Sequence, residues 1–252
     1  MNTLLVDSGN RSIKWALLED GELFEHGRVD RAAGQSLRDA WADITRPQRV
    51  VIGNVAGQHG EQTARAITRE FWQLSAEFVH STASCCGITN CYADPEQLGV
   101  DRWLAMIAAK HLTKGPAIVV DCGTAVTIDL VDEEGRFRGG VIMAGLGLSR
   151  AALRAGTAAL DQYDLAQTTV AATSTADAVV SGTLIGLAGA IDRIVQEQSI
   201  LIETVPTVFL SGGDAGKLLL QFNFNIEMLP DLVLQGLRIY SESDESQEIS
   251  SV

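Results

Sequence analysis

Apolar and polar positions along the chain fall into two kinds of run. Short, nearly continuous apolar runs end at turn residues: Leu4-Leu5-Val6 before Asp7, Val50-Val51-Ile52 before Gly53, Ile118-Val119-Val120 before Asp121, and Val208-Phe209-Leu210 before Ser211. Runs of that length, bounded by Gly-rich turns, read as buried strands. Longer stretches carry apolar residues at helical spacing. Residues 61–74 do so through Ala64, Ile67, Phe71 and Leu74, and residues 101–112 through Leu104, Ile107, Ala108 and Leu112. Residues 148–160 and 176–196 are further helix candidates. Strands and helices interleave in both halves, which predicts the α/β class.

The pattern also repeats. Residues 3–24 read TLLVDSGNRSIKWALLEDGELF and residues 117–138 read AIVVDCGTAVTIDLVDEEGRFR. Asp7 to Asp121, Gly9 to Gly123 and Gly21 to Gly135 are each 114 apart. Each copy holds an apolar strand, an Asp-x-Gly turn, a second strand and an acidic-Gly hairpin into a third. A duplicated domain follows, with a break at Lys114-Gly115-Pro116. The expected division is 1–114, 115–240 and an acidic, disordered tail at 241–252, whose sequence SESDESQEISSV is polar and charged.

Composition narrows the function. The 252 residues are 46% hydrophobic, enough for a buried core, and carry 19 basic against 32 acidic side chains, a net of −13. That balance excludes a binder that works by neutralising nucleic-acid phosphates. It leaves small anions open, because clustered backbone N–H groups bind them on an acidic protein. The N-terminus lacks a basic leader, and the longest weakly polar stretch, 178–191, is shorter than the roughly 20 residues of a membrane span. Cys85, Cys86, Cys91 and Cys122 form no CxxC pair and read as reduced, mostly buried thiols. The expectation is a cytoplasmic protein with neither membrane nor nucleic acid as partner.

Chemistry concentrates in the loops. An Asp at the end of a buried strand needs a partner or a cation. Gly two positions on lets the backbone approach a ligand. Ser8-Gly9-Asn10 and Cys122-Gly123-Thr124 then supply N–H and hydroxyl donors for phosphate oxygens. Two such loops, facing each other, clamp a nucleoside triphosphate and its metal. Lys14 either reaches phosphates or faces water from an edge strand. It aligns with Ile128 in the second copy. A third loop, Ser211-Gly212-Gly213-Asp214, follows a strand and opens a helix that Asp214 can cap. It suits a nucleobase, or is a plain strand–helix turn. Gly99-Val100-Asp101-Arg102 opens the helix after Tyr92, placing a carboxylate and a guanidinium together as an acid/base and anion-binding pair, or as a helix cap with a surface Arg.

Together, Asp7-Ser-Gly-Asn10 with Lys14, Leu98-Gly-Val-Asp-Arg102, Asp121-Cys-Gly-Thr124 with Asp129, Gly139-Gly140 and Ser211-Gly-Gly-Asp214 resemble the type III pantothenate kinases in order and spacing over residues 3–240. The resemblance implies two ribonuclease-H-like domains with mixed sheets flanked by helices, an actin-like ATPase duplication, and a homodimer. It implies ATP-dependent phosphorylation of pantothenate to 4'-phosphopantothenate, the first step of coenzyme A biosynthesis. Under it, Asp7, Ser8, Gly9, Asn10, Arg11, Ser12, Ile13 and Lys14 form the first ATP loop, with Asp7 near Mg²⁺. Thr124, Gly212 and Gly213 contact the nucleotide, and Asp121 binds the monovalent cation, K⁺ or NH4⁺. Asp101 is the general base, and Tyr92, Gly99, Val100, Asp101, Arg102 and Thr175 meet pantothenate. Arg11 departs from the small hydroxyl residue usual in the family, and Ala144-Gly145 from its Pro-Gly. Two alternatives remain: a kinase for another small carboxylate-bearing alcohol, and a non-catalytic regulatory homologue that keeps the fold, which Arg11 favours.

Overall fold

The four apolar runs become the inner strands of two five-stranded sheets in a computed structural model that describes residues 2–31, 36–156, 168–222 and 224–243. The first sheet holds β1 (Thr3–Ser8), β2 (Ser12–Glu19), β3 (Glu22–Asp30), β4 (Arg49–Asn54) and β5 (Glu77–Val79), in the order β3-β2-β1-β4-β5. A small hairpin, β6 (Ser84–Cys85) and β7 (Ile88–Thr89), follows. The second sheet holds β8 (Ala117–Cys122), β9 (Ala125–Val131), β10 (Phe137–Ala144), β11 (Thr207–Ser211) and β12 (Glu227–Met228), in the order β10-β9-β8-β11-β12. The two orders are the same. In each, the Asp-x-Gly strand pairs antiparallel with its hairpin partner and parallel with the later strand: β1 with β2 and β4, β8 with β9 and β11.

The helices are α1 (Leu37–Trp41), α2 (Gly57–Trp72), α3 (Val100–Leu112), α4 (Leu146–Gly156), α5 (Thr175–Ile200), α6 (Ala215–Leu219) and α7 (Leu232–Glu242). Chain contacts group them into two compact units. One spans Met1–Leu112, Gly135–Phe137 and Asp231–Val252, the other Thr113–Glu134 and Arg138–Pro230. The second half therefore returns α7 to the first unit. There it packs on α3, which is buried around nearly its whole circumference, from Arg102 through Ala109, as a central helix must be. The first unit's core is built around Trp41, fully buried with its ring 6.3 Å from Trp15 and 5.6 Å from Trp72.

Three sequence expectations change. The tail begins later than residue 241: Ser241 is buried in α7, and its carbonyl accepts from Arg49 Nη1 at 2.8 Å. Residues 244–252 of the expected disordered tail lie outside the described residues, as do 157–160 of the expected helix 148–160. The weakly polar stretch 178–191 is part of a longer helix. The helix expected at 176–196 contains it, α5 runs on to Ile200, and its 18-residue window of mean hydropathy 1.6 is only 33% buried. A helix of sufficient length and apolarity to cross a membrane is therefore present. Finally, Lys14 lies opposite Asp7 while Thr127 lies opposite Asp121, so the second hairpin loop is one residue shorter and Thr127, not Ile128, is the counterpart of Lys14.

Truncating Trp41 to Ala leaves a cavity that its aromatic neighbours cannot fill. The expected cost is about 3–5 kcal/mol, read as a lowered midpoint in urea unfolding. A loss under about 1 kcal/mol contradicts the placement of this ring at the core.

Candidate active site

In the first unit, the loop between β1 and β2 is shaped by backbone bonds and by one arginine. Gly9 N donates to Ser12 O at 3.1 Å, closing the turn. Arg31 then spans it: its backbone N donates to Arg11 O at 2.9 Å, its Nε to Gly9 O at 3.0 Å and its Nη2 to Ser8 Oγ at 3.1 Å. Asn10 and Arg11 are exposed at the tip, Asp7 and Ser12 are half-buried, and Ser8 is buried. Ile13 turns its side chain into the hydrophobic core, so only its backbone is left for a ligand. Lys14 lies on an inner strand, not an edge, and its Nζ sits 3.3 Å from Asp231 Oδ1. Asp231 occupies the N-cap position of α7 without capping it. Its carboxylate goes to Lys14 instead.

A second group gathers at the start of α3. Ser81 Oγ, buried, donates to Leu98 O at 2.8 Å and fixes the chain just before the helix. Gly99 leaves room for the Asp101 side chain: a Cβ there would stand 2.7 Å from Asp101 Oδ1, so the carboxylate would have to shift. The Arg102 amide donates to that same oxygen at 2.8 Å. Burial pushes the Asp101 carboxyl above the usual range, against the Arg102 amide and guanidinium, which pull it down. Arg102 is 6% exposed, a buried cation whose Nη1 donates to Tyr92 Oη at 3.1 Å. Its Cζ lies 5.7 Å from the Phe137 ring centroid, and Tyr92 stacks on Phe137 at 5.7 Å. Gly99 and Val100 also line a cavity of about 210 Å³ with Asn54 and Val55, at the end of the strand that pairs with β1. The first unit thus holds the phosphate-type loop, Lys14, Tyr92, Gly99, Val100, Asp101 and Arg102.

The second unit holds Asp121, Thr124, Gly212, Gly213 and Thr175. Gly212, at φ +96°, lets its loop lie directly on Asp121 and Cys122, where a Cβ would overlap the Asp121 carboxylate and the Cys122 backbone. Asp214 N donates to Cys122 O at 2.9 Å. The Asp214 side chain does not cap α6 but pairs with Lys217 Nζ at 2.6 Å. Burial, then Asp121 and Asp214, push the Cys122 thiol up to about 12, so it stays protonated and serves packing. Thr124 and Gly213 are exposed, as is Thr175 in the first turn of α5, which Ser174 caps by accepting from Asp177 N at 3.1 Å.

Sequence reasoning missed Arg31 and Asp231. Nothing local marks Arg31, whose three partners lie about twenty residues earlier. Pro230-Asp231 before an apolar run did signal a helix start.

The duplicated sheets define an actin-like ATPase and sugar-kinase fold. Solved structures agree: a conserved Baf-family protein described as a transcriptional activator from Campylobacter jejuni aligns over 99% of this chain and 100% of its own, with TM-score 0.59 at 18% identity. The activator of 2-hydroxyisocaproyl-CoA dehydratase from Clostridium difficile, with bound ADPNP, covers 100% and 98%, with TM-score 0.53 at 13% identity. The family model described as type III pantothenate kinase matches residues 3–197. The type III pantothenate kinase of Alkalilimnicola ehrlichii is 38% identical over 238 residues, 93% of this chain and 95% of that one. That of Nitrosococcus oceani is 34% identical over 243 residues, 93% and 91%. The chain belongs to the type III pantothenate kinases, and it uses ATP.

Arg31 gives the β1–β2 loop its shape, and that loop is the one expected from the sequence to hold ATP. On that expectation Arg31→Ala raises KM for ATP roughly tenfold while kcat changes less, with Arg31→Lys restoring only part because a lysine lacks the forked donors. Steady-state kinetics at varied ATP measure this, and an unchanged ATP dependence contradicts it.

Proposed function

We propose that the chain transfers the γ-phosphoryl group of ATP to the primary alcohol of pantothenate, giving 4'-phosphopantothenate at the start of coenzyme A biosynthesis. One observation carries the reading beyond family membership: the half-buried Asp101 carboxylate beside the buried Arg102 cation, with Tyr92 as that cation's hydrogen-bond partner.

Asp101, its proton affinity raised by burial, accepts the proton of the attacking hydroxyl. Gly99 keeps room for that carboxylate, and the Arg102 amide aims it. Arg102 meets the substrate carboxylate, a pairing its fork geometry suits, and Tyr92 orients the guanidinium. Val100 and Thr175 complete the pantothenate contacts proposed from the family. In the first loop, Gly9 N–H closes the turn while the Asn10, Arg11 and Ser12 backbone offers N–H groups to phosphate, and Lys14, held by Asp231, adds a positive charge. Thr124, Gly212 and Gly213 take the nucleotide in the second unit.

The donor set fits two cations. Among the described residues no cluster of three or more His, Cys, Asp or Glu side chains stands ready to bind a metal alone. That suits Mg²⁺, which keeps waters and substrate phosphates as ligands and needs one carboxylate, here Asp7. Asp121, on which the Gly212 turn lies, suits K⁺ or NH4⁺. When bound, these ions neutralise triphosphate charge.

A homodimer, in the cytoplasm, completes the proposal. Its support is apolar surface in the second unit: Val141 and Ile142 on β10, Leu148 and Leu153 on α4, and Ile185 on α5 are exposed. A second copy covers such residues without any membrane.

ADP release with and without pantothenate, in K⁺ and in Na⁺, tests the assignment. Turnover requires pantothenate and K⁺. Turnover indifferent to pantothenate points to another alcohol, which a panel of carboxylate-bearing alcohols identifies, and silence in both buffers favours the regulatory reading. The pH profile is a second check. Asp101 works deprotonated, so kcat/KM falls as pH drops through its raised pKa. The acid limb therefore lies above the range of an ordinary carboxylate near 4. A limb at or below that range contradicts the base assignment.

A further inference from the structure

Cys85 and Cys86 take no part in the chemistry above, yet the structure brings them together. Cys85 Sγ donates to Cys86 Sγ at 3.2 Å. Cys85 closes the β6–β7 ladder opposite Ile88, which leaves Cys86 and Gly87 as the two central residues of the hairpin turn, both at positive φ, +50° and +79°. Turns of this kind favour Asn or Asp before Gly, whose side chains tolerate the left-handed region. A Cys there gains nothing from turn chemistry and is strained. Burial divides the pair: Cys85 is buried and Cys86 half-exposed. One sulfur is open to an incoming reagent, and its neighbour is sheltered within reach.

We propose that Cys85 and Cys86 form a dithiol modification site that takes a small-molecule disulfide as oxidant, and that its oxidation weakens the Tyr92–Arg102 substrate subsite. The Cys86 thiolate attacks one sulfur of the reagent, forming a mixed disulfide and expelling one thiolate. The Cys85 thiolate then attacks Cys86 Sγ, breaking the mixed disulfide and expelling the second. The two cysteines lose two electrons and two protons, and the reagent is reduced to two thiols. The product joins adjacent residues, whose Cα atoms stand about 3.8 Å apart, below the roughly 4.4–6.8 Å of relaxed disulfides. A ring so strained is readily reduced again, as a reversible modification requires.

The turn is wired to the subsite within the first unit. Gly135 packs so closely on the Gly87 carbonyl that a Cβ there would overlap it. Thr89 N donates to Gly135 O at 2.9 Å, and Thr89 bridges Arg136. The next residue, Phe137, stacks on Tyr92 and carries Arg102 over its face. On the other arm, Asn90 N donates to Ala83 O at 2.9 Å, and Asn90 Oδ1 accepts from Tyr92 N at 3.0 Å. Drawing the sulfurs into a bond of about 2.05 Å reshapes the turn that both arms depend on.

The site stands on its own geometry, and only its kinetic readout rests on the pantothenate assignment. Full-length protein is incubated with glutathione disulfide, then analysed by intact mass, peptide mapping and kinetics. The expected product is lighter by two hydrogens, the loss maps to residues 85–86, and dithiothreitol reverses it. KM for pantothenate rises about fivefold or more while KM for ATP holds within about twofold. Cys86→Ser abolishes both changes, and Cys91→Ser retains them. A persistent glutathionyl adduct, or no mass change at residues 85–86, overturns the dithiol site. Ring formation with unchanged KM overturns its link to Tyr92. The reduced enzyme serves as control: if it shows no pantothenate-dependent turnover, the kinase reading fails while the mass result still decides the dithiol.

Discussion

A carboxylate half-buried at the first turn of a buried helix organises one end of the first unit. Asp101 sits where Gly99 leaves room for its oxygen, where the Arg102 amide binds that oxygen, and where α3 is otherwise packed on all sides. Each condition constrains the rest. A side chain at residue 99 would displace the carboxylate. A more exposed helix would let its proton affinity fall back to that of an ordinary acid. Tyr92 and Phe137 offset part of the cost of burying the Arg102 charge. The C-terminal helix α7 secures the arrangement from behind by packing on α3, and at its own start Asp231 holds Lys14. The C-terminal helix thereby supports two groups proposed for the chemistry, both laid down early in the sequence.

The duplication shows how one hairpin design is put to two uses. Both copies end a buried strand in Asp, turn at Gly, and return antiparallel. The first copy has one more residue in its loop, places a lysine opposite its Asp, and is braced by Arg31. The second places Thr127 opposite its Asp and is braced by the Gly212 turn, which lies on Asp121. A lysine opposite the Asp suits a loop proposed to meet phosphate, and a neutral threonine there suits one proposed to hold a cation. The departure at Arg11 looks smaller in this light, because its carbonyl, not its side chain, is what Arg31 engages in shaping the loop.

Much of this was legible in the sequence where local rules act alone. The apolar runs became the inner strands, and Gly21 and Gly135, matched by the repeat, share φ values of +84° and +83°. The helical spacing at 61–74 and 101–112 marked α2 and α3 within a few residues. What escaped depends on partners distant in sequence. The end of α7 looked like a polar tail because its burial comes from α3, over a hundred residues earlier. Lys14 was matched to Ile128 because an ungapped alignment cannot register a loop shortened by one residue. The helix expected at 176–196 matches α5 to within a few residues, but its membrane-length apolar window was missed because the weakly polar stretch was ended before Asp192. Asp214 was expected to cap α6, but Lys217 one turn on claims its carboxylate.

The account rests on Asp101 acting as a base rather than as a structural acid. The direct measurement is Asp101→Asn, with ATP affinity determined by calorimetry and phosphopantothenate formation followed in the same preparation. Asparagine keeps the side chain's shape beside Gly99 but cannot accept the proton. The account predicts ATP binding within about twofold of wild type and turnover lower by roughly 10²–10⁴-fold. Turnover near that of the wild type, with ATP bound equally well, would contradict it.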